Sequence, residues 1–462
     1  MKCFAALLTA GALLAGAASA SAQTTTFSVG ATTVSVTPLT TNLAIPWELI
    51  WGPDNFIWMT ERGGRISRVN PATGQLTALL TVPDVTPTGE SGLLGMVLHP
   101  DFSTSPYVYI VYNYTEGGLK EKLVRYTYNA AAGTLSSPLV LLGNIPATTT
   151  HSGSRLLILP DRTLLMTTGD AQLLPEAQNP ASLNGKILRL NLDGTVPANN
   201  PTPGSLVYTR GHRNPQGLVR ATNGKVYSSE HGPNNDDEIN LIEAGRNYGW
   251  PNVEGLCNLP SEQTFCSANN VREPLRVWTP TIATAGLIYY DHPAIPEWRN
   301  SLLMATLKAS KLVQMPISAT TDVLATENSY LTTFGRLRSI CMSPQGKIYV
   351  GTSNSTGGPT DQILMLENRA FLPASTTAAA KALKLSLWPN PAQSTVMMRF
   401  PVTTAAAGQA TVVDALGRVM QTTPFTAGQN ELQLNLRSLA PGLYAVRAQA
   451  GSTTYTQQLV VR

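Results

Sequence analysis

Charged and imidazole side chains are concentrated in one short stretch of this 462-residue chain, between residues 208 and 240. Charged residues make up only 13% of the sequence, and the chain has only five histidines. Such a concentration is typical of a functional site, although an acidic surface turn with solvated carboxylates has the same composition. The side chains concerned are Arg210, His212, Arg213, Glu230, His231, Asp236, Asp237 and Glu238.

Within this stretch, the dipeptide Gly232-Pro233 presents backbone carbonyls beside acidic side chains. Proline has no N–H, so the dipeptide cannot pair fully as a central strand, and its carbonyl oxygens are free to face a ligand. A hard cation such as Ca²⁺ takes carbonyl and carboxylate oxygens, and this loop offers both. The stretch therefore indicates a calcium site as one interpretation.

A second candidate pair lies upstream, where His151 begins one predicted strand and Asp170 ends the next. A hairpin would bring the imidazole and the carboxylate to the same end of the fold, where the carboxylate would orient and charge a general base. A single histidine in a loop is more often structural, and both interpretations stay open on these residues alone. The sequence has no Gly-x-Ser-x-Gly elbow and no Walker loop, which argues against a serine hydrolase and a nucleotide enzyme.

A recurring sequence motif between residues 50 and 355, called the repeated phrase below, predicts the scaffold that positions these candidate site residues. Each copy is a Pro-Asp or Asn-Gly-like turn followed by a short run of apolar, β-branched and aromatic residues, which is a hairpin signal. About six copies match a radial array of four-stranded blades better than a sandwich, with a series of unrelated hairpins as the alternative. We therefore predict an all-β chain with a six-bladed β-propeller over residues 23–368. The copies lie at residues 52–59, 99–112, 159–166, 222–227, 298–304 and 343–350.

Overall composition excludes several classes of protein. Gly 37 and Pro 33 make the chain rich in turns, and the low charge content argues against long charged helices and coiled coils. Lys+Arg 32 against Asp+Glu 28 leaves a net charge of +4 with no basic run, so we expect no nucleic-acid partner.

The N-terminus predicts the compartment. Lys2 precedes a short apolar stretch that ends in Ala20-Ser21-Ala22, the pattern of a secretory signal peptide over residues 1–22. No later run reaches about 18 apolar residues, so we expect no transmembrane segment. In an oxidising space, Cys257 and Cys266 are expected to form a local disulfide within a loop, 256–270, whereas Cys341 lies in an apolar run and is expected to be buried.

The last part of the chain differs from the rest in its composition. Residues 369–382 are small and polar and predict a linker, and residues 383–462 predict a small β-sandwich. The phrases Pro389-Asn390-Pro391, Asp414 to Arg418 and Gly442-Leu443-Tyr444 resemble the C-terminal sorting domain of type IX secretion cargo. That resemblance implies the type IX machinery as a partner and a secreted or cell-surface protein that leaves through the periplasm. A carbohydrate-binding or adhesive module is the alternative.

Several longer motifs, in order, resemble the soluble sugar dehydrogenases that use pyrroloquinoline quinone (PQQ). The resemblance covers about residues 40–368 and implies a six-bladed propeller with the quinone in a cleft at one end of its channel. Two positions depart from the glucose dehydrogenases, because Glu90 and His231 each replace a glutamine, and both changes resemble the broader aldose dehydrogenase branch. The motifs are Glu61 to Ile66, Gly89 to Gly95, His99 to Phe102, Gly211 to Gly217 and Asn247 to Pro251.

The same resemblance implies roles for individual residues. His151 matches the base that takes the proton of the sugar C1 hydroxyl, Asp170 the acid that supports it, and Arg213 the arginine beside the reactive quinone oxygen. Ca²⁺ ligands are implied in two sites, the Gly232 and Pro233 carbonyls in one and Glu238 with the Tyr248 carbonyl in the other. The implied cofactor-binding residues are Glu90, His151, Arg213, Asn214, Gln216, Lys308, Arg336 and Arg338.

The implied reaction is hydride transfer from an aldose to PQQ, which gives a lactone and later passes electrons to a soluble acceptor. A non-catalytic glycan-binding propeller and a Ca²⁺-dependent propeller hydrolase of the lactonase type are the alternatives. Lys308, Arg336 and Arg338 favour the quinoprotein, because a tricarboxylate cofactor needs fixed positive charges and the alternatives do not. Residues 171–182 have no counterpart in the family.

Overall fold

The computed structural model describes residues 24–318, 324, 326–355, 358–371, 383–400, 403–404, 406–414, 418–451 and 453–462. They form two compact units, with the division after Phe371. The predicted signal peptide, most of the predicted linker and residues 415–417 of the predicted turn lie outside the described residues. The expectation of an all-β chain is confirmed, since nearly every regular element is a strand.

In the described part of the first unit, six antiparallel sheets follow one another along the chain. Five of them consist of four consecutive strands in sequence order. These are β3 (Pro46–Trp51), β4 (Ile57–Glu61), β5 (Arg65–Val69) and β6 (Leu76–Thr81); β7 (Leu93–Leu98), β8 (Tyr107–Thr115), β9 (Leu119–Asn129) and β10 (Thr134–Pro146); β11 (Leu156–Ile158), β12 (Thr163–Thr168), β13 (Lys186–Asn191) and β14 (Val207–Arg210); β15 (Pro215–Arg220), β16 (Val226–Glu230), β17 (Asp237–Ile242) and β18 (Arg276–Trp278); and β19 (Thr284–Tyr290), β20 (Ser301–Thr306), β21 (Leu312–Pro316) and β22 (Asn328–Tyr330).

The sixth sheet joins the two ends of the unit. It contains β23 (Leu337–Met342), β24 (Ile348–Thr352) and β25 (Asp361–Glu367), and it is completed by the N-terminal strands β1 (Thr25–Val29) and β2 (Thr32–Leu43). β2 pairs antiparallel with β25, with Val36 opposite Leu366. The first strand of each sheet contacts the first strands of its two neighbours, so that β3, β7, β11, β15, β19 and β23 form a closed ring. A radial ring of small antiparallel sheets is the architecture of a β-propeller.

The repeated phrases of the sequence occupy equivalent places in these sheets. Each lies at the turn that joins a first strand to a second strand, so the predicted hairpins are confirmed. The aromatic residues that follow the turns lie in the second strands and are fully buried, as at Trp58, Tyr109, Tyr227 and Tyr349. These second strands are buried along nearly their whole length, and bulky apolar residues are favoured in strands covered on both faces.

The expectation of a loop at 256–270 was wrong, because part of it is the helix α1 (Pro260–Asn269). Proline is favoured in the first turn of a helix, and the Glu262 carboxylate accepts the Leu259 N–H at 3.0 Å, which satisfies one free donor of that turn. The left-handed Asn270 follows the last turn. Two short 3₁₀ helices, Leu174–Ala177 and Pro296–Trp298, occur elsewhere in the described residues.

Both cysteine predictions are confirmed. Cys257 and Cys266 form a disulfide that ties the segment before α1 to the last turn of the helix. Cys341 is free and buried in β23, where burial raises the pKa of its thiol. It therefore acts as a small apolar side chain.

The described residues of the second unit form two sheets with one hydrophobic core. The strands are β26 (Leu383–Lys384), β27 (Ser386–Trp388), β28 (Thr395–Arg399), β29 (Gly408–Val413), β30 (Val419–Phe425), β31 (Glu431–Asn435), β32 (Gly442–Ala450) and β33 (Thr453–Val461). Five form a sheet in the order β26-β33-β32-β29-β30, and three form another in the order β27-β28-β31. Val396, Leu434, Val412 and Val446 from both sheets meet in the core. No helix in the described residues of either unit is long and apolar enough to cross a membrane.

Candidate active site

The segments that lead into the first strands of the ring carry several of the predicted site residues. Glu90 precedes β7, His151 precedes β11, Arg213 precedes β15 and Arg336 precedes β23. Hydrogen bonds join these segments across sheet boundaries, for example from the His151 N–H to Glu90 Oε2 at 3.2 Å and from the Asp170 N–H to the Arg213 carbonyl at 2.8 Å. Residues far apart in the sequence therefore meet at one end of the ring.

His151 and Asp170 form the predicted pair. Nδ1 of His151 lies 2.7 Å from Oδ1 of Asp170, whose side chain is fully buried, whereas the imidazole is 14% exposed. An ionised carboxylate only accepts hydrogen bonds, so Nδ1 carries the proton and Nε2 keeps its lone pair. The imidazole is thus arranged to accept a proton through Nε2.

Two further donors hold the Asp170 carboxylate. Trp250 Nε1 donates to Oδ2 at 2.8 Å, and the Gln172 N–H donates to Oδ1 at 2.8 Å. With His151, the carboxylate therefore accepts three hydrogen bonds, which fix its orientation. Sequence reasoning missed Trp250 and Gln172 as partners, although Trp250 stands in one of the quoted motifs.

Close backbone packing fixes the loop that carries His151. A Cβ on Gly169 would lie 1.8 Å from the His151 carbonyl oxygen, and one on Gly95 would lie 1.9 Å from the carbonyl oxygen of Ser154. Glycine is therefore required on both sides of the loop. The Gly153 N–H also donates to Asn214 Oδ1 at 3.1 Å.

Arg213 is held through its backbone as well as its side chain. Its N–H donates to Glu230, and its Nη1 donates to the His231 carbonyl at 3.2 Å. The guanidinium lies over the Trp250 ring, 5.4 Å from the centroid, and burial lowers its pKa. Its Nε is buried without a hydrogen-bond partner among the described residues, so a donor is available to a ligand.

Glu230 positions Arg213 and was not predicted to do so. Its Oε2 lies 2.9 Å from Nδ1 of the fully buried His212, which stacks on the Tyr248 ring. The pair is thus an internal support for the backbone of Arg213.

A narrow cavity lies beside this loop. It is lined by Trp47, Glu90, Leu94, Ser152, Gly153, Gln216, His231 and Arg338. Arg338 Nη1 donates to Gln216 Oε1 at 3.2 Å, and Gln216 Nε2 donates to Asn214 Oδ1 at 2.9 Å. The Arg338 Nε and the Asn214 Nδ2 are buried donors without partners in the described part of the chain.

Positive charge surrounds the Arg338 guanidinium. Burial lowers its pKa to about 10; Glu90 opposes this shift, and the neighbouring Arg336, Arg155 and Arg62 add to it. Like charges held together in a partly desolvated place are stabilised by an anionic ligand. The cavity is therefore suited to a ligand with several carboxylates.

Lys308 and Arg336 complete the predicted cation set, and both are exposed. Lys308 Nζ donates to Thr281 Oγ1 at 2.9 Å. No acidic side chain pairs with either cation among the ion pairs of the described residues. Their charges are available to a ligand, although no direct contact joins Lys308 to Arg338 in the same part of the chain.

The predicted calcium ligands are brought together. Gly232, Pro233, Glu238 and Tyr248 line one narrow cavity with Arg213 and Trp250, although the family resemblance implied two sites. The fully buried Asp237, not predicted as a ligand, shapes the loop by accepting the Gly232 N–H at 2.9 Å and the Ile282 N–H at 2.8 Å.

The residues that line this cavity include the acidic Glu230, Asp236, Glu238 and Glu254 as well as Gly232, Pro233 and Tyr248. In the described residues, no three His, Cys, Asp or Glu side chains form a group that could hold a metal. The pKa of Glu238 is raised well above its usual value by burial and by the nearby Glu230. A bound cation would stabilise the ionised form of such a carboxylate, so the cavity fits Ca²⁺ held by carbonyls and one carboxylate.

Comparison with known proteins places both units. Residues 43–364 match a family model described as Glucose / Sorbosone dehydrogenase, and residues 386–462 match one described as Secretion system C-terminal sorting domain. Quinoprotein glucose dehydrogenase B of Acinetobacter calcoaceticus is 44% identical over 246 residues, which are 46% of this chain and 52% of that protein. The match thus spans about half the length of that relative.

For two other similar proteins, the match to this chain covers almost their whole length. The aldose sugar dehydrogenase of Escherichia coli is 31% identical over 349 residues, which are 70% of this chain and 91% of that protein. The solved structure of the PQQ-bound aldose sugar dehydrogenase from Streptomyces coelicolor has a TM-score of 0.63 at 33% identity and covers 72% of this chain and 98% of its own.

Proposed function

The chain belongs to the glucose/sorbosone dehydrogenase family, and from that premise we propose that it oxidises the C1 hydroxyl of aldose sugars with PQQ as cofactor. The observation that carries the proposal is the His151–Asp170 pair at 2.7 Å beside a cavity with unpartnered arginine donors. A base and an anion-binding cavity at one end of the ring are what a sugar oxidation with an acidic cofactor requires.

The residues present fit PQQ. One buried donor on each of three residues has no partner in the described residues: Arg213 Nε, Asn214 Nδ2 and Arg338 Nε. Lys308 and Arg336 add exposed positive charge. Glu90 and Gln216 border the same cavity and are proposed to bind the cofactor as well. Fixed guanidinium donors bind carboxylates in two-point contacts, which gives orientation as well as affinity.

The proton step belongs to His151. Nε2 accepts the proton of the sugar C1 hydroxyl as the C1 carbonyl forms, and the buried Asp170 stabilises the resulting imidazolium. When bound, PQQ supplies the acceptor for the hydride that leaves C1, so the aldose becomes a lactone. Arg213 is placed to donate to the cofactor. Ca²⁺, if bound, would be held by Gly232, Pro233, Glu238 and Tyr248 and would add positive charge there.

We also infer the domain organisation. The six sheets of the first unit support a six-bladed propeller over residues 23–368, and the two sheets of the second unit support a β-sandwich over 383–462, after a linker at 369–382. The second unit matches a sorting-domain model, which supports export by the type IX machinery to the outside or the cell surface. The predicted signal peptide at 1–22 would bring the chain to the periplasm first.

Reconstitution tests the function. The purified protein is mixed with PQQ and Ca²⁺, and oxidation of a panel of mono- and disaccharides is followed with an artificial dye acceptor. We expect PQQ-dependent dye reduction, with lactone as product and a soluble molecule as the natural acceptor. His151→Gln should lower kcat by about 10² to 10⁴ while PQQ still binds, and His99→Gln, a histidine outside the site, serves as the matched control.

The outcome separates the alternatives. Sugar binding without oxidation and without PQQ binding would indicate the glycan-binding propeller, and lactone hydrolysis that needs Ca²⁺ but not PQQ would indicate the hydrolase. Either result would overturn the proposal.

A further inference from the structure

A buried acid that the proposed reaction does not use lies beneath the His151 loop. Glu121, on β9, is 2% exposed and stands opposite Asn113 of β8 and Ile145 of β10. Its Oε2 lies 3.1 Å from the Ser154 hydroxyl. Burial raises the pKa of Glu121 to about 8, so the side chain is mostly a neutral acid at pH 7.

The hydroxyl of Ser154 indicates the direction of the hydrogen bonds. Its Oγ lies 3.1 Å from Glu121 Oε2 and also 3.1 Å from the Ser152 carbonyl oxygen. A carbonyl can only accept, so the single hydroxyl proton of Ser154 goes to Ser152 when both contacts are made. Glu121 must then donate to Ser154, which only the protonated acid can do.

This series of hydrogen bonds ends in a strained loop. His151 and Ser154 have φ angles of 58° and 71°, a left-handed backbone conformation that residues other than glycine rarely adopt. The loop is held from β8 as well, because the Ser152 hydroxyl donates to Asn113 Oδ1 at 3.3 Å. Strain of this kind persists only where several contacts enforce it.

No charged side chain faces the Glu121 carboxyl in the described residues. Ser154 and Asn113 face it, and no ionised group contributes to the shift of its pKa. Its strand neighbours Lys120 and Lys122 pair elsewhere, with Glu116 and Asp84. The β10 residue opposite Glu121 is the apolar Ile145.

We propose that Glu121 is a positioning residue for His151: as a neutral acid it donates to Ser154 and so holds the His151–Ser154 loop in the conformation in which His151 contacts Asp170. This inference rests on the proposed role of His151 as the base. Ionisation removes the donor, because a carboxylate can only accept, and the Ser154 proton then turns from Ser152 to Glu121.

Four variants test the proposal. Glu121→Gln has an amide that still donates, whereas Glu121→Ala and Ser154→Ala interrupt the hydrogen bonds that run from Glu121 to Ser152. Glu116→Gln is an exposed control on the same hairpin. With PQQ and sugar at pH 6.5, Glu121→Gln should keep kcat. In Glu121→Ala and Ser154→Ala, kcat should fall by about tenfold or more because the base is misplaced, while the affinity for PQQ stays unchanged. At pH 9 the wild type and Glu116→Gln should lose kcat relative to Glu121→Gln.

A second readout needs no cofactor. The carboxyl ionises near 4.5 in the unfolded chain and near 8 in the folded protein, so between these values the folded state holds the extra proton and stability falls as pH rises. The melting temperature of the apoprotein should therefore drop more from pH 6.5 to pH 9 in the wild type than in Glu121→Gln. The ¹³C–¹H resonance of the His151 ring should move in Glu121→Ala and stay fixed in Glu116→Gln.

The results distinguish the two proposals. If no protein oxidises sugar, the proposed function fails, while the His151 resonance and the melting data still decide the role of Glu121. The positioning proposal is overturned if the ring resonance is the same in Glu121→Ala and the wild type, if Glu121→Ala keeps full kcat, or if Glu121→Gln shows the alkaline losses of the wild type.

Discussion

Replacement of Asp170 by asparagine tests the proton step most directly. The carboxylate accepts from His151 Nδ1, from the Gln172 N–H and from Trp250 Nε1. An asparagine can keep its oxygen toward His151 and Gln172, but its amide then faces the Trp250 donor. Turned the other way, the amide faces His151, which must move its proton to Nε2 and can no longer act as a base.

Both orientations cost activity. In the first, the imidazolium loses an adjacent negative charge, and a hydrogen bond to a charged group contributes about 1.5 to 3 kcal/mol. That corresponds to a loss of about 10 to 10² in kcat. In the second, the base is blocked, and the loss approaches the ~10⁴ known for the same substitution in a protease triad. We therefore expect kcat to fall by about 10² to 10⁴.

The double variant Asp170→Asn with Trp250→Phe separates activity from stability. The single Asp170→Asn variant leaves two donors facing each other in the first orientation, which costs about 1 to 3 kcal/mol of unfolding free energy. Phenylalanine removes the opposing N–H but keeps a ring under Arg213, so the double variant should regain stability without regaining kcat. The assays are dye reduction at saturating PQQ and sugar, and urea unfolding of the apoprotein. A kcat within threefold of the wild type in Asp170→Asn would refute this account of the pair.

Three further outcomes are expected. Lys308→Ala and Arg336→Ala should each weaken PQQ binding by about tenfold or more, while kcat at saturating PQQ changes little. Fluorescence titration measures the affinity for PQQ, with Arg369→Ala as the control. Unchanged affinity in both variants would show that the carboxylate pocket is misplaced. Lys186 is fully buried, burial lowers its pKa to about 7, and its Nζ donates to the carbonyls of Glu176, Ala177 and Asn184. Lys186→Met should therefore reduce the unfolding free energy by about 3 kcal/mol. The control Lys347→Met, at a half-buried lysine paired with Glu367, should cost under about 1 kcal/mol, and equal losses would contradict this role of Lys186. A chain that ends at Glu367 should keep full PQQ-dependent activity but stay in the periplasm of a host with type IX secretion; loss of sugar oxidation in a folded truncated protein would instead give the tail a part in substrate binding or in a dimer.

The features predicted well are those encoded locally. Turn residues followed by β-branched and aromatic runs predicted the hairpins because a turn and its flanking strands are neighbours in sequence. The helix α1 was missed at Pro260 and Glu262, whose combination is a helix-start signal that the nearby cysteines obscured. His151 and Asp170 were predicted to meet because a single hairpin separates them.

The features that were missed depend on contacts between distant parts of the chain. Trp250 reaches Asp170 from another sheet, 80 residues further along the chain. Glu121 looks like an ordinary strand residue in the sequence, and only its burial against Ser154 reveals a neutral acid. Pairings of this kind follow from how sheets stack around the ring, which no local spacing encodes.

The pairing of β2 with β25 determines when the first unit can be completed. Val36 and Leu366 are separated by almost the whole of that unit, so the sixth sheet stays open until β25 has emerged from the ribosome or the export channel. Contacts of such long range close late and slowly. Until then, the edges of β24 and β2 that pair with β25 are unprotected and prone to misassociation. A circular permutation that opens the chain between β18 and β19 and links the present ends of the unit would bring β25 and β2 close in sequence, with only the new link and β1 between them.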